Sequence, residues 1–90
     1  MNKNLQPLHY AIIMHFDSGL EDSADGVMAA LEQDYAGYKL LNLKDIEETL
    51  STAKENGLLE EATCQLDDIG NLVLRYRLTP FGKDMIRRYL

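Results

Sequence analysis

The apolar positions of this chain keep a helical spacing for most of its length, switch to strict alternation once, and then return to helical spacing. Leu8, Ala11, Ile12 and Phe16 fall along one side of a helix that opens at Pro7 and runs to about Asp17, where Ser18-Gly19 stops it. A second helix, capped by Asp22 or Ser23, reaches about Tyr35 with Val27, Ala30 and Leu31 as its stripe and Met28 adjacent. Gly26 weakens that helix by up to about 1 kcal/mol relative to Ala. The third is the clearest. Leu43, Ile46, Leu50 and Ala53 recur at three- and four-residue steps, Asn42 precedes them as N-cap, and Asp45 follows three residues on as in a capping box. Asn56-Gly57 ends it, because glycine adopts the left-handed C-cap conformation at little cost.

The period then changes to two. Leu58 to Leu66 suits a strand, Asp67 to Asn71 is a turn cluster, and Leu72 to Thr79 returns as a second strand. Leu72, Leu74, Tyr76 and Leu78 share one face of it, and Val73, Arg75 and Arg77 the other. Thr79-Pro80 then opens a closing helix, expected to bury Phe81, Met85, Ile86, Tyr89 and Leu90 and to turn Lys83, Asp84, Arg87 and Arg88 to water. The expected core is Ile12, Phe16, Leu31, Leu43, Ile46, Leu50, Leu59, Leu74, Tyr76 and Leu78. Cys64, in phase with Ala62 and Leu66, is expected as a small buried residue.

Helix, helix, helix, ribbon, helix within 90 residues resembles the winged helix-turn-helix superfamily, especially PadR- and MarR-type transcriptional regulators. The likeness is strongest over Ile46 to Arg88. It rests on two phrases, Glu55-Asn56-Gly57-Leu58-Leu59 and Tyr76-Arg77-Leu78-Thr79-Pro80-Phe81-Gly82-Lys83. The resemblance implies an α+β fold of one domain spanning residues 1–90, with three helices, a two-stranded wing and a C-terminal helix. It further implies a third helix in the major groove of duplex DNA, a wing at the phosphates, and a homodimer that presents two of each. On that basis the nucleic-acid-binding candidates are Lys44, Ser51, Thr52, Lys54, Arg75 and Arg77.

Charge changes this picture. The net charge is −6. Residues 1–70 carry four Lys/Arg against fourteen Asp/Glu, whereas residues 71–90 carry five against one. A polyanion is repelled by most of the molecule and attracted only by its end. The third helix itself presents Asp45, Glu47, Glu48 and Glu55 among its candidate contacts, and phosphate neutralisation by Lys and Arg supplies most nonspecific DNA affinity. These four acids define an alternative, a winged-helix interaction module whose third helix meets a basic protein partner.

Other chemistry finds little support. There is no phosphate-binding glycine loop, no nucleophile elbow and no zinc spacing, so neither an enzyme nor a cofactor or metal is expected. His9 and His15 lie on different sides of a helix. The acids Asp17, Glu21, Asp22 and Asp25 miss the spacing of a calcium loop. Tyr35 and Tyr38 are expected to fill the space between the second and third helices. The apolar run Leu8 to Phe16 is about half a membrane span. With a single cysteine and no targeting segment, the expected location is the cytoplasm.

Overall fold

The computed structural model describes residues 7–37 and 41–89. Its elements follow the order α1 (Leu8–Met14), β1 (Asp22–Ser23), α2 (Ala24–Tyr35), α3 (Leu43–Glu55), β2 (Leu59–Leu66), β3 (Leu72–Leu78) and α4 (Pro80–Tyr89). This is an α+β winged helix, with one element that periodicity did not predict. The two-residue β1 pairs antiparallel with β3, Asp22 opposite Tyr76 and Ser23 opposite Arg75, so the sheet has three strands in the order β1-β3-β2.

The helix starts carry their caps. Ser23 Oγ accepts from the Gly26 N–H at 3.2 Å, which identifies Ser23 as the cap of α2 and leaves Asp22 to the sheet. At α3, Asn42 Oδ1 accepts from the Asp45 N–H at 2.9 Å while Asn42 Nδ2 donates to the Asp45 carboxylate at 2.8 Å. The capping box is thus closed between side chains. Gly57, at φ +82°, ends α3 as expected. In the wing turn, Asp67 Oδ1 accepts from the N–H groups of Ile69 and Asn71, and Gly70 takes a positive φ.

The core gathers α1, α2 and α3 over the root of the sheet. Ile12, Phe16, Ile46, Leu50, Leu59, Tyr76 and Leu78 are buried as expected, joined by Leu8, Ile13, Val27, Tyr35, Ala53 and Ile86. Leu31 and Leu74 are packed against this cluster and only partly buried. Leu43 is exposed at the first turn of α3, where the helix has not yet met its neighbours. Ala30 faces water, and so does His9. The first helix ends at Met14, three residues short of Asp17, and continues as a turn to Ser18.

Two further corrections share a cause. Cys64 is exposed, as are Leu66 and Leu72, because the wing runs past the edge of the core and, among the described residues, none buries its far half. On α4, Ile86 and Gly82 are buried and Met85 partly so, whereas Phe81 is 51% and Tyr89 71% exposed. The expected burial of Leu90 and the placement of Tyr38 lie outside the described residues. No helix among the described residues is long and apolar enough to cross a membrane.

A three-way junction fixes α4. The Thr79 N–H donates to the Leu58 carbonyl at 3.0 Å, and its hydroxyl donates to the Gly57 carbonyl at 2.6 Å. The same hydroxyl oxygen accepts from the Gly82 N–H at 2.9 Å, capping α4. Gly82 lies so close beneath that a β-carbon there would overlap the Leu58 carbonyl oxygen and sit 2.9 Å from Leu78 Cδ1.

Candidate nucleic-acid interface

The candidates on α3 divide between two sides of the helix. Glu47 and Ser51 face the wing, beside Leu72, Leu74 and Tyr76 in the shallow space between α3, the start of α2 and β3. Asp45, Glu48 and Thr52 line the opposite side, a cleft of about 530 Å³ between α1, α3 and α4. Asp45 is also held by the Asn42 cap, so its carboxylate has a structural task. Lys44 and Glu55 are exposed on the ridge between these sides, and neither has a salt bridge among the described residues.

Two of the four candidate cations are neutralised within the chain. Lys54 leaves α3 to pair with Glu61 on β2, and the hydrogen bond to that carboxylate, with its charge, holds the ammonium above the ordinary lysine value. Arg77 donates through Nε to Glu60 at 2.7 Å, with Glu21 3.6 Å from Nη1. Glu60 first and Glu21 second keep its guanidinium above the ordinary arginine value. Sequence reasoning placed Arg75 and Arg77 together on the outward face of the second wing strand. The structure keeps that alternation but separates their roles. Arg75, half-buried next to β1, has no salt bridge among the described residues. Arg88 is paired with Asp84 one turn earlier on α4, at 2.9 Å.

One contact escaped the sequence altogether. His15 Nε2 lies 2.8 Å from Asp22 Oδ2, tying the turn after α1 to β1 and so to the root of the wing. Only the seven-residue spacing across a glycine turn hinted at it. No group of three or more His, Cys, Asp or Glu side chains among the described residues is arranged to hold a metal ion.

No protein-family model matches the sequence, and no curated protein matches it. Solved structures share its fold. A candidate transcriptional regulator from Thermoplasma acidophilum superposes with a TM-score of 0.72 over 91% of this chain and 75% of its own, at 16% identity. A PadR-like transcriptional regulator from Bacillus cereus does so at 0.68, over 90% of this chain and 75% of its own, at 17% identity. This chain therefore shares the winged-helix fold of these two structures.

Proposed function

We propose that this chain is a DNA-binding transcriptional regulator, not an enzyme, and that it works as a homodimer in the cytoplasm. The observation that carries this reading is a wing on the PadR-type fold with Arg75 left without a carboxylate partner among the described residues, on the strand beside α3. Lys44 on the α3 ridge adds a second cation, and Ser51 is a neutral donor facing the same side. Dimerisation through α1 and α4 is supported by Tyr10, Phe81 and Tyr89, which expose large aromatic surface around those helices. Light scattering that returns only the 10.2 kDa monomer at tens of micromolar removes the dimer.

Fluorescence anisotropy on duplex DNA across a salt series tests the binding. A pair of wings making two to four phosphate contacts gives a slope of roughly −2 to −4 in log affinity against log salt. Replacing Arg75 and Arg77 with Ala removes most of it. A second reading is favoured by the Lys54–Glu61 and Arg77–Glu60 pairs, which cancel cations while Glu47, Glu48 and Glu55 have no salt bridge among the described residues. In that reading α3 meets a basic protein. If the wild type fails to bind DNA near ~20 mM salt and a Glu47→Lys, Glu48→Lys variant binds, the second reading replaces the first.

A further inference from the structure

Glu60 and Glu61 are consecutive on β2, so their side chains leave the strand on opposite faces. Glu60 lies directly across from Arg77 on β3 and accepts from its Nε–H at 2.7 Å. Glu61 lies across from the buried Tyr76 and reaches Lys54 in the last turn of α3. One dipeptide at the root of the wing therefore engages a cation of the third helix on one face and a cation of the wing on the other. Glu21 completes the second contact. β1 sets Asp22 opposite Tyr76, which brings the preceding residue level with Arg77, and Glu21 Oε2 is 3.6 Å from Arg77 Nη1. The next row of the sheet is different. There Arg75 stands between Ser23 and Thr63, and both are uncharged.

The pairs are too exposed to matter much to folding. All four side chains keep 42% to 47% of their surface in water, where an ion pair adds little stability. Against an incoming phosphate they weigh more. Each carboxylate is tethered at contact, so it competes at a high local concentration and must be displaced from the same N–H groups. Displacement also cancels the usual gain. Phosphate neutralisation releases a condensed counterion, but the freed carboxylate attracts one back, so the exchange yields almost no net release. Arg75 and Lys44, which have no salt bridge among the described residues, keep that gain.

We infer that Glu60 and Glu61 form an autoinhibitory pair, standing in for phosphate on the two faces of the wing root and holding Arg77 and Lys54 out of nonspecific contact with phosphate chains. A duplex then gains little from charge alone at these positions, and binding is left to sites whose base contacts supply the difference. The inference rests on the DNA reading and deepens it, because it gives both pairs a role within that reading.

The test compares the wild-type chain with a Glu60→Gln, Glu61→Gln variant. Its control, Glu32→Gln with Asp68→Asn, removes the same charge from exposed acids that have no salt bridge among the described residues. Two probes are titrated by anisotropy across a salt series, a nonspecific duplex and an end-labelled inorganic polyphosphate. The Glu60, Glu61 variant should bind both roughly fivefold or more tightly than wild type at about 50 mM salt, with slopes steeper by about 2 to 3 for a pair of chains. The control should change affinity by less than about twofold and leave the slope alone. The Arg77 Nε–H resonance should move with polyphosphate in the variant and stay in place in the wild type at equal concentration. A gain on polyphosphate without one on duplex keeps the inference and removes the DNA reading. A variant no better than its control on polyphosphate overturns the inference, whatever the wild type does with duplex. A gain that leaves the Arg77 resonance in place overturns it as well.

Discussion

Arg77 of β3 lies directly opposite Glu60 of β2, and its Nε donates to the Glu60 carboxylate at 2.7 Å. With Glu21 on the other side at 3.6 Å, the guanidinium is held between two acids from different parts of the chain. Replacing both with Gln keeps the shape and releases the charge. The Glu21→Gln, Glu60→Gln variant should bind nonspecific duplex more tightly at low salt, with a salt slope steeper by about 1 to 2 for a pair of wings. An unchanged slope would show that Arg77 does not reach phosphate.

The Lys54–Glu61 pair makes a titration prediction. Because the folded-state value of Lys54 is raised, the stability it contributes is fully present below the ordinary lysine value and is lost as pH rises through the folded one. Glu61→Gln should move the Lys54 titration down toward the ordinary value, read by NMR at its side-chain protons. Both side chains face solvent, so salt should shrink the difference. A titration that stays put in the variant would assign the raised value to another neighbour.

Gly82→Ala should destabilise the domain by about 1–3 kcal/mol, since its β-carbon meets a backbone carbonyl that cannot move without displacing the end of α3. Thr79→Val keeps the volume and removes the cap together with the bond to the Gly57 carbonyl, and should cost about 1–2 kcal/mol. Urea denaturation measures both. A neutral Gly82→Ala would mean that α4 slides freely on Leu58.

Leu50→Ala should cost about 2–5 kcal/mol and Leu72→Ala less than about 0.5 kcal/mol, although both fall on the apolar side of their elements. Comparable losses would place the wing tip inside the cooperative core.

That contrast also marks where the sequence stops being legible. Periodicity identifies which face of an element is apolar, and it placed Leu50, Leu59, Tyr76 and Leu78 correctly. It carries no information on how far the opposite layer extends. Leu72 and Cys64 stay in phase with buried neighbours and yet are exposed, Leu72 meeting only the shallow space beside Glu47 and Ser51 of α3. Phe81 and Tyr89 were misplaced for the same reason, because α4 offers the core a narrower strip than its apolar stripe. β1 has no periodicity to read at two residues, since its pairing is set by β3. The candidate interface was legible as a list of residues. Which acid takes which cation was not legible, because the choice of Glu60 for Arg77 and Glu61 for Lys54 depends on wing register.

The Thr79 junction has a consequence for assembly. Leu58 is bonded back to Ala53 through its N–H and onward to Thr79 through its carbonyl, so the end of α3 and the start of α4 meet on one residue. Through Leu58, α3 and the exposed aromatic surface of α4 are held in one fixed relation. In a pair joined through α4, the distance between the two α3 helices would act as a fixed gauge. It would admit half-sites whose spacing matches about one turn of duplex, near 34 Å, and reject those that require the protein to stretch.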